Sequence, residues 1–378
     1  MASGLTINLA FVGQKPTGLA TYAINLIPEL KLPETTLLAS PSFLSHSDAG
    51  QAYREVPDNL TYEQGKLGHL RRMLWTQLQL PSLCAEASLL FSPVPEAPLG
   101  LRCRSVVMVH DLIPLRFPRF TSPLTQYFRF YVPQVLRQAS HIICNSQATA
   151  EDIVEFYQIP AAKITPIPLA HDARHFQVLK PQPFNSQPSK SQPSKSQPEP
   201  HRPYFLYVGR HDPYKNLARL IQAFAAVTGE VELWIAGASD PRFTLELQKQ
   251  AAELGLTHRI RFLDYVSYDQ LPVLLNQALA MVYPSLWEGF GFPVLEAMAC
   301  GAPVITSNLS SLPEVAGDAA MLVDPFEVAA LTDAMQQITE STALQTQMRA
   351  AGLARAAQFS WSKTAAATGE LLSQYLRL

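Results

Sequence analysis

The chain has 378 residues, about twice the usual length of one domain, which favours two cores of roughly 150 to 200 residues each. Apolar residues make up 47% and charged residues 16%, which is typical of packed globular proteins and excludes the disordered and fibrous classes. The formal net charge is -2, so the composition argues against nucleic acid as a partner.

The N-terminus and the cysteines bear on the compartment. An apolar run ending at Val12 follows Met-Ala-Ser-Gly without the basic residues of a secretory signal, and it is predicted to be a first strand. No window of about 18 uninterrupted apolar residues occurs, so we expect a chain that does not span a membrane. The four cysteines have no CxxC spacing, which favours reduced thiols and a cytoplasmic protein.

Residues 1–180 are predicted to form one doubly wound α/β domain. Short apolar runs rich in β-formers alternate there with segments of helical period, as in a parallel sheet with crossover helices. The predicted strands are 5–12, 35–40, 89–93, 105–111, 141–146 and 164–169, and the predicted helices are 18–30, 122–139 and 147–157.

Residues 181–203 are predicted to be a linker or a surface insertion. Their composition is mostly Pro, Gln, Ser and Lys, and Gln-Pro-Ser-Lys-Ser occurs twice in tandem, at 187–191 and 192–196. Such a composition cannot bury a core. This segment therefore marks the predicted domain boundary.

Residues 204–358 are predicted to form a second Rossmann-like domain, and 359–378 a helix that returns to the first. The predicted strands are 204–209, 231–237, 260–266, 280–285, 303–307 and 321–324, with helices near 216–227, 241–254, 268–278, 293–300 and 327–338. Open parallel sheets bind ligands beyond the carboxyl ends of their strands, so we expect the active site in a cleft between the two domains.

Residues 283–301 read as a strand, a Gly-rich loop and a short helix. Pro293 suits a first helical turn and Gly301 a C-terminal exit. The free N–H groups and the positive dipole end of such a helix, roughly half a charge, can hold a diphosphate. Glu288 lies in the loop, and Glu296 is predicted in the first helical turn, where the dipole should lower its pKa.

This pair of carboxylates also has a structural interpretation, in which Glu296 supports the helix start and Glu288 is a solvated loop residue. Between them lie Gly289, Phe290 and Gly291, whose two glycines would let the backbone approach a ligand closely. That context favours ligand binding.

Residues 208–216 read as a strand end, a turn and a helix start, with Arg210 and Lys215 in the turn. Fixed cations aimed at a departing phosphate stabilise its growing negative charge. A surface turn with two solvated cations is the structural alternative.

The two stretches resemble the Glu-x7-Glu pattern and the donor-phosphate turn of the retaining glycosyltransferases of carbohydrate-active family four, the mannosyl- and glucosyltransferase group. The resemblance implies the GT-B fold, with two Rossmann-like domains facing each other across a cleft. It implies that Glu288 and the neighbouring loop amides bind the donor hexose and that Glu296 holds the ribose hydroxyls.

The resemblance extends to His110 and Asp111 at a strand end, where the family's histidine approaches the donor sugar. A core histidine with satisfied hydrogen bonds is the alternative for His110, and Asp111 is expected only to hold the loop. The residues implied at the donor are Gly18, Gly209, Gly289, Phe290, Gly291, Phe292, Pro293, Val294, Glu296, Tyr265 and Val266, with Arg210, Lys215, Glu288 and His110 as catalytic residues.

The implied reaction is a retaining, metal-independent hexosyl transfer from a nucleotide sugar to a saccharide or lipid-linked acceptor. GDP-mannose is favoured over UDP-glucose as the co-substrate, no other cofactor is expected, and no Asp-x-Asp metal motif occurs in the chain. Three alternatives are a glycosidase with Glu288 and Glu296 as its carboxylates, a nicotinamide dehydrogenase, and a catalytically silent sugar-nucleotide-binding relative. A dehydrogenase needs a Gly-rich first βα turn, which this chain does not have.

Residues 97–150 contain six arginines and one acid, Asp111, interleaved with aromatic residues. This pattern indicates either a face for an anionic acceptor or lipid surface, such as the inner face of a membrane, or arginines on the solvent side of packed helices.

Overall fold

A computed structural model describes residues 4–13, 18–44, 52–179 and 202–377. The chain divides into two compact units, Met1–Ala170 with Phe359–Leu378 and His171–Gln358. Nearly all of the predicted linker lies outside the described residues. None of the described helices is long and apolar enough to cross a bilayer.

The first unit is a seven-stranded parallel sheet in the order β3-β2-β1-β4-β5-β6-β7. Its strands are β1 Leu5–Asn8, β2 Thr35–Ala39, β3 Ala52–Glu55, β4 Leu89–Ser92, β5 Arg104–Val109, β6 His141–Cys144 and β7 Ile164–Pro166. The helices of this unit that precede the second unit in the chain are α1 Gly18–Glu29, α2 Pro41–Leu44, α3 Gly65–Leu78, α4 Leu80–Leu83, α5 Ile113–Arg116, α6 Pro123–Gln126, α7 Val132–Gln138 and α8 Gln147–Tyr157. All six strands predicted here are present, and β3 and α3 were not predicted.

The predicted helix 122–139 is interrupted by a π-helical turn, Tyr127–Tyr131. Pro133 has no N–H to donate to the carbonyl four residues before it, and the Val132 N–H bonds the carbonyl of Tyr127 five residues back. The wider turn therefore carries the chain past the proline.

The second unit is a six-stranded parallel sheet in the order β10-β9-β8-β11-β12-β13. Its strands are β8 Tyr204–Val208, β9 Glu232–Ala236, β10 Ile260–Leu263, β11 Ala280–Tyr283, β12 Val304–Ser307 and β13 Met321–Val323. Its helices are α9 Leu217–Ala225, α10 Thr244–Glu253, α11 Leu271–Gln277, α12 Phe292–Ala299, α13 Leu312–Ala316, α14 Val328–Glu340 and α15 Thr342–Ala356. The six predicted strands are again present, and α15 was not predicted.

The division between the units falls earlier than the predicted boundary at residue 180. Residues 171–179 belong to the second unit, where the Leu179 N–H donates to Asn276 Oδ1 at 2.9 Å and Asn276 Nδ2 donates to the Gln177 carbonyl at 3.0 Å. These bonds attach the segment to α11.

The last helix, α16 Trp361–Arg377, belongs to the first unit. Thr364 Oγ1 donates to the Pro168 carbonyl at 2.8 Å, and the Trp361 ring lies 6.2 Å from that of Tyr22 on α1. The chain therefore completes its first unit after building the second.

The sheet order of the second unit brings two functional segments together. Strands β8 and β11 are adjacent and parallel, with Phe205 opposite Ala280 and Leu206 opposite Met281. Because their carboxyl ends leave the same edge of the sheet, the turn after Val208 and the loop after Tyr283 emerge side by side.

Candidate active site

A buried ion pair joins those two segments. Lys215 ends a 3-10 turn after β8, and Nζ lies 2.6 Å from Glu288 Oε1 in the loop after β11. The Tyr283 hydroxyl lies 2.7 Å from Lys215 Nζ and 2.9 Å from Glu288 Oε1, which closes a triangle. Lys215 and Glu288 are each only 8% exposed, so a charge on either one depends on the other.

Hydrogen bonds hold the loop that carries Glu288. The Glu288 N–H donates to Ser310 Oγ at 3.0 Å, and Ser311 Oγ donates to the carbonyls of Glu288 and Phe290 at 3.0 and 2.8 Å. Asn216 Nδ2 donates to the Pro284 carbonyl at 3.1 Å. The carboxylate is therefore presented from a preorganised loop rather than a solvated one.

Helix α12 begins at Phe292, one residue before the predicted start, and Pro293 lies in its first turn as predicted. Gly291 precedes it with φ 109°, a conformation that favours glycine. Pro293 has no N–H, and the amides of Val294 and Leu295 bond the Gly291 carbonyl.

Fewer amides are therefore open at this helix tip than the sequence indicated. In the described chain, the N–H groups of Gly291 and Phe292 make no protein hydrogen bond. Two open backbone donors at the start of a helix form an arrangement that suits an anion.

Glu296 differs from its prediction in both position and charge. It is the fifth residue of α12, so no acid occupies the first turn. Burial, and then the neighbouring charge of Asp172, raise its pKa to about 8. The predicted lowering of the pKa was wrong, because the dipole effect fades within the first turn while burial does not.

A low pKa for Glu296 would argue against its use as the general acid of a glycosidase, and the raised pKa removes that argument. The ion pair now weighs against a glycosidase: Glu288 is committed to Lys215, whereas a retaining glycosidase needs one free nucleophilic carboxylate.

Arg210 lies in the same turn as Lys215 but is far more exposed, with 73% of its side chain accessible. Its Nε lies 3.3 Å from Asp212 Oδ2, and one terminal nitrogen donates to the Tyr214 hydroxyl at 2.8 Å. These contacts keep the guanidinium within its own turn.

Gly209 lies where two backbone segments touch. A Cβ at Gly237, after β9, would lie 1.9 Å from the Gly209 carbonyl oxygen. Glycine is required at Gly237, and a side chain there would displace the turn that carries Arg210.

Tyr265 and Val266 were predicted inside a strand, but β10 ends at Leu263. Both residues therefore lie in the following loop, and Tyr265 is highly exposed. An exposed tyrosine on such a loop is available to stack on a planar ligand.

In the first unit, His110 follows β5 and Gly18 begins α1. His110 Nε2 lies 2.9 Å from the Pro93 carbonyl, and burial lowers the pKa of the ring to about 4. The imidazole is therefore neutral at pH 7, with the proton on Nε2 and an acceptor at Nδ1. Asp111 Oδ1 accepts the Ile113 N–H at 3.0 Å. Most of the loop before Gly18 lies outside the described residues.

The sequence interpretation missed Tyr283, Ser310 and Ser311. Tyr283 was predicted only as part of the strand 280–285, although a tyrosine at the carboxyl end of a central strand indicates a polar contact for its hydroxyl. The two serines lie more than twenty residues downstream, and no spacing rule connects them to the loop that they hold.

Comparison with known proteins defines the class. A solved structure of HepE from Anabaena, in complex with UDP and glucose, matches with a TM-score of 0.73 at 20% identity and covers 98% of this chain and 100% of that one. With two parallel sheets as described above, the chain has the GT-B fold of two Rossmann-like domains.

Family models match both halves: Glycosyltransferase Family 4 over residues 17–175 and Glycosyl transferases group 1 over 189–355. O-antigen chain mannosyltransferase B of Escherichia coli is 29% identical over 91% of this chain and 93% of its own length. O-antigen chain mannosyltransferase RfbU of Salmonella typhimurium is 27% identical over 89% and 91%. The chain belongs to the family-four glycosyltransferases and is a hexosyltransferase.

Proposed function

We propose that the protein transfers a hexose from a nucleotide sugar to a saccharide or lipid-linked acceptor, with retention of anomeric configuration and without a metal. The cytoplasm is the proposed compartment. The observation that carries this proposal is the buried Lys215–Glu288 pair at the adjacent carboxyl ends of β8 and β11.

The groups around this pair suit a nucleoside diphosphate sugar. The amides of Gly291 and Phe292 and the cations of Lys215 and Arg210 are donors for phosphate oxygens. The Glu288 carboxylate accepts hydrogen bonds from sugar hydroxyls. Glu296 and the exposed Tyr265 are assigned to the ribose and nucleobase end of the donor.

In the proposed reaction, the acceptor hydroxyl oxygen bonds to the anomeric carbon on the face from which the diphosphate leaves. The bond between that carbon and the phosphate oxygen breaks, and its electron pair stays on the nucleoside diphosphate. The hydroxyl proton passes to the departing phosphate oxygen. Lys215 and Arg210 stabilise the negative charge that develops there, which is the largest effect expected of this site.

Mannose is the proposed sugar, because two curated relatives that match over most of their lengths are mannosyltransferases by name. GDP-mannose is therefore the proposed donor. UDP-glucose is the second candidate, supported by the HepE complex with UDP and glucose. A catalytically silent relative would keep the fold and the donor site without turnover.

The test is release of nucleoside diphosphate from a panel of nucleotide sugars, measured with and without EDTA. We expect release from GDP-mannose that EDTA does not reduce. Proton NMR of the first product should show the anomeric configuration of the donor. Release abolished by EDTA, or an inverted product, would refute the metal-independent or the retaining part respectively. Donor binding without release under any condition would identify the silent relative.

A further inference from the structure

An exposed row of leucines lies on the outer face of α3 in the first unit. Leu67, Leu70, Leu74 and Leu78 are spaced by three and four residues, so they share one side of the helix, and their exposed fractions run from 52 to 76%. We call these four residues the leucine face. Four large apolar side chains in one row are more than the scattered exposure of an ordinary surface.

The opposite side of α3 is firmly packed, so the leucine face does not result from a frayed helix. Arg72 Nε donates to Glu96 Oε2 at 2.8 Å and a terminal nitrogen of Arg72 donates to the Leu60 carbonyl at 2.8 Å, and Trp75 and Thr76 are buried. The helix is anchored on one side and presents leucine on the other.

The apolar surface continues beyond α3. Gln77 Nε2 donates to the Tyr131 hydroxyl at 2.9 Å, and Gln77 Oε1 accepts the Leu99 N–H at 3.0 Å. Leu99 and Phe130, the residue before Tyr131, are both exposed. The π-helical turn and the 97–99 loop therefore border the leucine face.

The surroundings of this surface are cationic. Exposed arginines lie on α3 and beside the exposed Phe130 of the π-helical turn: Arg71 and Arg129. Helix α3 contains no acid, Glu96 is buried against Arg72, and Asp111 is the single acid of residues 97–150.

Two arginines of residues 97–150 are bonded to other parts of the protein and do not belong to this cationic rim. Arg116 pairs with Asp152 and Glu155, and an Arg104 terminal nitrogen donates to the Tyr375 carbonyl at 3.1 Å. For these two residues the interpretation as structural arginines holds. The cations around the leucine face are a separate set.

We propose that the leucine face is a docking surface for an anionic lipid bilayer. Leucine and phenylalanine side chains enter the acyl boundary, while long arginine side chains at the rim keep their charge at the headgroups. A second copy of the chain fits less well, because a two-fold contact through this face would bring like-charged arginines together.

Vesicle flotation of the full chain tests this surface independently of catalysis. We expect binding to vesicles of phosphatidylglycerol and phosphatidylcholine, and little binding to phosphatidylcholine alone. Each of Leu74→Glu and Leu78→Glu should reduce the partition coefficient by about tenfold or more, from the lost burial of one leucine. Leu245→Glu on α10 is the matched control, since the exposed fraction of Leu245, 68%, lies between those of Leu74 and Leu78. This variant should bind vesicles as the parent does.

Thermal unfolding of each variant checks that the fold is intact, which exposed positions should allow. Absence of binding to anionic vesicles would overturn the proposal, as would equal binding to neutral ones or an equal loss in Leu245→Glu. A dimer in solution that Leu74→Glu dissociates, without vesicle binding, would assign the face to a second copy. Nucleoside diphosphate release with a soluble acceptor is unaffected in either case, so failure here leaves the proposed transfer reaction intact.

Discussion

Glu288 and Glu296 lie eight residues apart at the start of the same helix, yet their electrostatic environments are opposite. Glu288 is bonded to Lys215 and Tyr283. Glu296 makes no hydrogen bond through its carboxylate in the described chain, and its pKa is raised to about 8 by burial and by Asp172. One carboxylate is paired with a cation, and the other is paired with none among the described residues.

The difference shows what sets the charge of a carboxylate near a helix start. The helix dipole is a weak influence that fades within the first turn, whereas burial and the neighbouring charges decide the outcome. The two residues therefore call for different tests, since one acts through a charge pair and the other through its own protonation.

The largest effect is expected for Lys215→Met. Glu288 would be left as a buried carboxylate without a cation, and the free energy of unfolding should fall by about 3–5 kcal/mol. Turnover should fall by at least about a hundredfold, because a donor to the departing phosphate is lost. Chemical denaturation and nucleoside diphosphate release measure the two effects.

The double variant Lys215→Met with Glu288→Gln separates stability from activity. Removing both charges should restore most of the lost stability but not turnover. A single Lys215→Met variant as stable as the parent would show that the pair is not buried in solution.

Arg210→Ala should affect turnover alone. Its side chain is mostly exposed, so stability should change by no more than about 0.5 kcal/mol, while kcat should fall by about a hundredfold. Arg242→Ala is the matched control, since Arg242 is an exposed arginine paired with Asp240. Equal kcat in Arg210→Ala and the parent would remove Arg210 from the site.

Glu296→Gln tests the unpaired carboxylate through the pH dependence of the free energy of unfolding. The folded pKa of about 8 lies above the ordinary 4.5, so the stabilising effect of the neutral acid is complete below pH 4.5 and is lost as the pH rises toward 8. Between pH 4.5 and about 8, the free energy of unfolding of the parent should fall by up to about 1.4 kcal/mol per pH unit relative to that of the glutamine variant.

The donor provides a second readout for Glu296. Glu296→Ala should weaken donor affinity by about tenfold with little change in kcat, because it removes a partner of the ribose hydroxyls. Parallel stability curves for parent and glutamine variant between pH 5 and about 8 would contradict the raised pKa.

Ser310→Ala should have the smallest effect. The Glu288 N–H loses its acceptor, which should cost about 1 kcal/mol and raise KM for the donor by a few-fold. Ser373→Ala, which removes a hydroxyl bond on α16, is the control that should leave KM unchanged. A kinetically silent Ser310→Ala would show that the loop is held without that bond.

Much of the fold could be predicted from sequence, because buried parallel strands are continuous apolar runs. All twelve predicted strands are present, whereas β3, with four exposed residues, has no such run. Helix α3 was missed although its leucines have helical spacing. They face outward and its buried side carries Trp75 together with Arg72 and Thr76, so the sequence alone does not show which side packs.

The candidate site could be predicted less completely. Glycine and proline marked the loop and helix around Glu288, since those residues have strong backbone preferences. Lys215 and Glu288 lie 73 positions apart in the chain, and their partnership depends on the adjacency of β8 and β11. The raised pKa of Glu296 depends first on its burial and then on Asp172, and no local pattern indicates either of them.

The most direct test of the central claim is a thermal-shift titration with GDP-mannose and UDP-glucose, on the parent and on the Lys215→Met/Glu288→Gln double variant. A ligand bound only by the folded state raises the melting temperature by an amount set by its concentration relative to its Kd. We expect one of the two nucleotide sugars to stabilise the parent and neither to stabilise the folded double variant. Equal stabilisation of both proteins would place the donor away from the Lys215–Glu288 pair and contradict the account.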